Sequence, residues 1–195
     1  MNKQLMAVAL AAAVIAAPAQ ATTVALASDG SWNEFNVDSF IAADFGTGWI
    51  DSIDGSPLSF TFTIAAGSHG TLTVVDAGFA GDTFSLSNFG GAFGATSSVA
   101  AGTTDGALVF DFDAALADPA YSHGVFTLNA GTYSIGGSLL QSVLDSGVAL
   151  DATNGAVRLS VSAIPEPSSP LLMLGGLAAV ALLARRRAGK SVNSL

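Results

Sequence analysis

The sequence predicts an all-β fold: a single antiparallel β-sandwich domain, jelly-roll-like, flanked by an N-terminal signal peptide and a C-terminal transmembrane helix. Three observations predict it. Short runs rich in Thr, Val, Phe and Ser alternate apolar with polar side chains. Glycine- or asparagine-containing turn signals separate these runs, recurring about every ten residues, as in all-β sandwiches. The stretch from Thr22 to Ile164, 143 residues, has the size of one domain with its own core.

Residues 1–21 lie outside that domain. Lys3 precedes an apolar run from Leu5 to Ala17, and Ala19-Gln20-Ala21 sets small residues at the two positions a signal peptidase needs. These parts, in this order, predict a secretory signal peptide cleaved after Ala21; a short buried helix is the alternative. The chain has no cysteine, which excludes thiol chemistry, cysteine-ligated metals and disulfide stapling. A body of this size does not need disulfides.

The body, 22–164, opens its strand pattern at Ser59 to Ile64, where Phe60, Phe62 and Ile64 fall on one face. After a Gly-Ser-His-Gly turn, Thr71 to Val74 continues the alternation, so the two runs read as a hairpin. Asp82 to Ser87 repeats it, and further strands are predicted over 107–112, 124–128, 131–135 and 157–161. Asn129-Ala130-Gly131 and Asn154-Gly155 read as tight turns. A short helix over 113–118 is predicted with Asp113 as its cap. Gly90-Gly91-Ala92-Phe93-Gly94 lacks the lysine and helix start of a phosphate loop and reads as a loop or strand edge.

The end of the chain changes character. Ser168 to Ala184 is 17 residues without a charge. As a helix it is roughly 25 Å long at about 1.5 Å per residue, slightly short of an about 30 Å hydrocarbon core. Terminal arginines can snorkel and a bilayer can thin, so 168–184 is predicted to span. Pro165, Pro167 and Pro170 suit the lead-in and first turn of that helix. Arg185, Arg186, Arg187 and Lys190 follow it, which predicts a cytoplasmic tail over 188–195 and a periplasmic body. A buried core helix with a basic tail is the competing reading.

Pro165-Glu166-Pro167, the apolar helix and the cluster Arg185-Arg186-Arg187 together resemble the PEP-CTERM sorting signal of Gram-negative bacteria. The resemblance covers about the last thirty residues. It implies an exosortase, a membrane-embedded cysteine protease, as partner, with transit through the inner membrane and release toward the cell surface or beyond. It also implies a host that makes exopolysaccharide and biofilm matrix. The stretch Leu72 to Phe84 is similar to bodies found on other proteins with this tail, which implies a location and no chemistry.

Charge narrows the partners of the body. Thirteen aspartates and Glu34 face a single base, Arg158, leaving a net charge of −13 over 22–164. Phosphate recognition needs basic patches, so neither nucleic acid nor an anionic membrane surface is predicted. Such charge favours solubility and attracts cations such as Ca²⁺. Asp29-Gly30, Asp51, Asp54-Gly55, Asp105-Gly106 and Asp145 stand beside turn-type residues, and these carboxylates read as loop chemistry.

Three leads toward chemistry remain. Asp76 and Asp82 flank Ala-Gly-Phe-Ala-Gly, and Asp111 and Asp113 share a face if a strand runs through them. Either pair could contribute to a structural Ca²⁺ site, although no EF-hand or glycine–aspartate repeat is present. Paired carboxylates could also serve a glycosidase, which their spacing in space decides. His69 and His123 lie in Ser-His-Gly triplets read as turns, with no nucleophile elbow or zinc motif nearby. Trp32, Trp49, Tyr121 and Tyr133 could form a sugar platform or fill the core, and the core reading is preferred. The resulting expectation is a non-catalytic exported protein, structural, adhesive or glycan-binding, with no catalytic residues and no required cofactor. Its designated residues are those of the sorting signal, 165–167 and 185–187. A secreted polysaccharide hydrolase is the alternative, and the tail could be cleaved or kept.

Overall fold

The computed structural model describes residues 21–43, 46–165 and 169–188. The signal-peptide expectation, Glu166, Pro167 and residues 189–195 lie outside the described residues. The early strands are β1 (Thr22–Ala25), β2 (Asp29–Asp38), β3 (Leu58–Ile64), β4 (Ser68–Ala77), β5 (Thr83–Asn88) and β6 (Gly91–Ala95). Helix α1 (Phe112–Ala117) precedes β7 (His123–Leu128), β8 (Gly131–Gln141), the short β9 (Leu144–Asp145) and β10 (Val148–Ala149), and β11 (Ala152–Ala163). Helix α2 (Ser169–Ala188) follows.

Two sheets face each other. One has the order β1-β3-β8-β5-β6, the other β2-β11-β4-β7, and β9 and β10 form a small hairpin of their own. From β2 to β5 the chain changes sheet at every strand, the wrapping of two interlocked Greek keys as in a jelly roll. The all-β sandwich prediction holds in these terms. One pairing departs from an antiparallel sandwich: the added edge strand β1 lies parallel to β3, with Thr22 beside Leu58.

Alternation places the core. Phe35 and Val37 of β2, Leu72 and Val74 of β4, and Val157 and Leu159 of β11 meet Phe60, Phe62, Ile64, Phe84 and Ile135 of the opposite sheet. At the centre Trp49 stacks on Phe35 with ring centroids 3.9 Å apart. Gly155 of β11 backs Phe35, and Gly137 of β8 backs Trp49; a Cβ at either position would strike the ring. The stack therefore bridges the two sheets between two positions that lack side chains. The outer face of the four-stranded sheet carries a second cluster, Val75, Ala115, Tyr121 and Ala156, where α1 covers it.

Several local expectations are corrected. The runs 59–64 and 71–74 are not a hairpin: β3 pairs with β1 and β8, β4 with β11 and β7. Both strands have one apolar face, and the chain turns so that those faces oppose one another across the core. Alternation alone does not distinguish this from side-by-side pairing. Asn154-Gly155 is not a turn but the interior of β11, where the glycine makes room for Phe35 and for the backbone of Val75. Residues 107–112 form no strand; only Val109 bridges, to Gly78, and the segment straps across the sheet end. Its helix begins earlier than expected. Asp111, not Asp113, is the cap, accepting the amides of Asp113 and Ala114 at 3.0 and 3.1 Å. By contrast, Gly91 to Ala95 is an edge strand, one of the two readings given to it.

The predicted transmembrane helix over 168–184 is not upheld. Among the described residues no helix is long and apolar enough to cross a membrane. Helix α2 runs on through Arg185, Arg186 and Arg187, so its charge-free part is the 16 residues 169–184. At about 1.5 Å per residue that is roughly 24 Å, against a hydrocarbon core of about 30 Å. The buried-helix alternative fares no better, because Leu172, Leu177 and Val180 are each more than 60% exposed.

Candidate functional site

A cleft of about 370 Å³ opens at the end of the four-stranded sheet that α1 leaves uncovered. Strand β2 builds one side. Phe35 and Val37 point into the core, so the alternate residues Glu34, Asn36 and Asp38 lie on the outer face and line the cleft. Strand β11 supplies the neighbouring row. Asn154 lies directly beside Asn36 in the register, and its amide Nδ2 donates to Glu34 Oε1 at 3.5 Å.

The opposite wall is apolar. Phe79 comes from the β4–β5 connection, and Leu108 and Phe110 from the strap before α1. Backbone bonds between Gly78 and Val109, 2.8 and 2.9 Å, fix that strap. The buried Tyr121 hydroxyl adds to this by donating to Gly78 O at 3.0 Å. Leu108 and Phe110 stay exposed at 53% and 62%, and Ile41, exposed at 54%, adds a further apolar side chain to the lining.

Asp82 lines the floor of the cleft, and Asp76 lies behind it. Both are buried, at 2% and 0% exposure. Asp76 shares the inward face of β4 with Leu72 and Val74. Its Oδ2 accepts the amides of Gly81 and Asp82 at 3.3 and 3.2 Å, closing the loop between the two aspartates. Gly81 makes that loop possible, with φ +125° and the backbone of Gly102 where a Cβ would stand. Asp82 Oδ1 accepts the Val143 amide at 2.7 Å. Asp76 Oδ1 has no hydrogen-bond partner among the described residues.

This environment holds both acids toward the neutral form. Burial, then the neighbouring Asp82 charge, pushes the Asp76 carboxyl up to about 9. Burial also raises Asp82, to about 6; the Thr153 hydroxyl and Val143 amide oppose the rise, and the Asp151 charge adds to it. Burial, followed by the Asp76 and Asp118 charges, raises the Tyr121 phenol as well.

The sequence leads fare differently. Asp76 and Asp82 are brought together, whereas Asp111 caps α1 and Asp113 pairs with Arg158 at 2.9 Å. The turn reading of the other carboxylates holds at Asp51 and Asp54, each accepting the amide two residues on at 2.8 and 3.0 Å, and Asp29 accepts the Ser31 amide at 3.0 Å from the first position of β2. His69 and His123 are strand residues, not turn residues. His123 pairs with Val75. That places it six residues along β4 from His69, roughly 20 Å at about 3.3 Å per residue. Among the described residues no three His, Cys, Asp or Glu side chains are grouped for a metal.

The four large aromatics form no platform. Trp49 is core, Tyr121 is buried under the strap, and Tyr133 stacks on Phe62 at 5.2 Å. Trp32 packs on Phe112 at 5.8 Å beneath the Arg158 guanidinium, 4.3 Å from its ring. Sequence reasoning missed Glu34, Asn36, Asp38, Phe79, Phe110 and Asn154. The polar alternation of Glu34-x-Asn36-x-Asp38 was the signal available. Of the sorting residues, Pro165 lies just beyond β11, Arg185 is exposed in the last turns of α2, and Arg186 and Arg187 fall within the same helix.

A model of the PEP-CTERM protein-sorting motif matches residues 163–187. No curated protein matches the sequence. A solved structure, the pre-peptidase C-terminal domain of collagenase from Bacillus anthracis, aligns at 10% identity and a TM-score of 0.37, over 74% of this chain and 98% of that one. The match at 163–187 contains the proline–glutamate–proline triplet, the apolar helix and the arginine cluster in their order. The chain thus carries a PEP-CTERM sorting motif, which implies an exported protein sorted by an exosortase.

Proposed function

We propose that the body is a non-catalytic saccharide-binding module that the sorting motif delivers to the cell surface or extracellular matrix. The observation that carries this reading is the make-up of the cleft: Phe79 and Phe110 on one wall, Glu34, Asn36, Asp38 and Asn154 on the other. A sugar ring needs both, an apolar surface for its C–H face and amide or carboxylate groups for its hydroxyls. Among the described residues the cleft carboxylates have no cationic partner, which favours neutral or amino sugars over uronic acids. The tail is the address: Pro165, Glu166 and Pro167 for recognition by the exosortase, Arg185 to Arg187 for orientation. Exopolysaccharide is then the natural ligand class.

The test is binding of the purified chain to an array of neutral, amino and acidic glycans, repeated with Phe110→Ala and Asn36→Ala. Binding lost in both variants supports the cleft, and an array without any binding removes the proposal. A hydrolase remains the second reading, because Asp82, raised to about 6, shares the cleft with Glu34 and Asp38. Its wholly buried neighbour Asp76 cannot touch a substrate, which favours binding over catalysis. New reducing ends in polysaccharide incubated with the chain would reverse that preference.

A further inference from the structure

We propose that Asp76 and Asp82 supply the carboxylates of a binding site for a hard divalent cation of the calcium class, behind the floor of the cleft. The strongest observation is an unanswered oxygen. Asp76 is wholly buried, its Oδ2 accepts two amides, and its Oδ1 has no hydrogen-bond partner among the described residues. A buried carboxylate oxygen is costly to leave unpaired, more so than the indole N–H groups of Trp32 and Trp49 that also lack partners among the described residues, so it calls for a ligand. The two amides accepted by Oδ2 belong to Gly81 and to Asp82 itself, which turns the Asp76 carboxylate toward Asp82.

Charge points the same way. Both acids are buried and the Asp82 charge acts on Asp76, while the only base of the body, Arg158, is engaged elsewhere, by Asp113 and the Trp32 ring. Among the described residues, the Asp151 charge acts on Asp82, and Tyr121 feels the charges of Asp76 and Asp118; none of these groups is cationic. Either a proton or a cation neutralises the pair, and the upward shift of both carboxyls is the proton-bound alternative. The candidate ligand atoms are all oxygen: Asp76 Oδ1, the Asp82 carboxylate and the Thr153 hydroxyl beside it. Calcium accepts such mixed oxygen shells and completes them with carbonyls and water. Asp82 lines the cleft, which gives the ion its way in.

The experiment uses the full chain in detergent, stripped with EDTA and titrated with CaCl₂ at constant ionic strength, with no saccharide present. Its failure is therefore separate from failure of the saccharide reading. One ion per chain is expected by calorimetry, with Tm raised by about 5–10 °C at a hundredfold excess over Kd. Asp82→Asn should abolish the shift, while Asp105→Asn, an exposed loop carboxylate, should keep it. Should Asp82→Asn fail to fold, Tb³⁺ luminescence sensitised through Tyr121 in the unaltered chain, and displaced by Ca²⁺, gives the same answer. A calcium shift no larger than that of sodium at equal ionic strength, or one retained in Asp82→Asn, overturns the site. So does an absence of sensitised emission.

Discussion

Replacing Gly137 with alanine should destabilise the body through one contact, and enlarging the space in front of it should reverse part of the loss. The Cβ introduced at 137 would meet Trp49 Cε2, lie 2.6 Å from Cζ2, and lie 2.8 Å from the Ser85 carbonyl. Ordinary contact needs roughly 1 Å more. Trp49 cannot retreat, because Phe35 stands 3.9 Å behind it and Gly155 of β11 stands behind Phe35. Overpacking of this kind costs about 1–3 kcal/mol. For a domain of this size each kcal/mol lowers Tm by roughly 2–4 °C, so a fall of about 2–12 °C is expected. Trp49→Phe removes the atoms in the way. It forfeits no hydrogen bond, since Trp49 Nε1 has no partner among the described residues. Alone it leaves a cavity and destabilises; combined with Gly137→Ala it should cost less than the two separately, with a coupling of about 1–2 kcal/mol. Urea denaturation of the four chains closes the cycle. Additive losses would refute a stack held rigid between the sheets.

Two further predictions follow from the charged groups. In EDTA, stability should fall as pH rises from 6 to 9. The folded-state value of Asp76, about 9, lies above its 3.8 reference, so the native chain holds the extra proton across this range. One proton corresponds to about 1.4 kcal/mol per pH unit at most, and Asp76→Asn should flatten the slope; urea midpoints that stay level or climb over this range in the unaltered chain contradict it. In the tail, changing Arg185, Arg186 and Arg187 together to glutamine should impair processing, read as the intact mass of the recovered protein. A C-terminus near Pro165 in both chains would show that the arginines are dispensable.

Much of the fold was legible because alternation is a local property. Phe60, Phe62 and Ile64 announce one buried face, and the structure buries that face. Which strands pair was not legible, since β3 and β4 satisfy the same pattern whether they lie side by side or face to face. Asn154-Gly155 misled for a related reason. A glycine chosen for close approach to Phe35 looks identical, in sequence, to one chosen for a turn. Of the site, Asp76 and Asp82 stood out by spacing around a glycine-containing connection. Glu34, Asn36 and Asn154 did not, because β2 and β11 lie 120 residues apart where Asn154 meets Glu34.

The sequence by itself determined the sorting motif, the acid excess of the body and the β character of its segments. Each depends on neighbours in the chain and on the transfer properties of side chains. Only the tertiary structure decided that Asp76 would lose water while keeping an oxygen unpaired among the described residues, that Gly137 and Gly155 would clasp one aromatic stack, and that α2 would carry its arginines inside the helix. Burial, register and close contact are set by segments distant in the chain, and no local pattern encodes the distance between them.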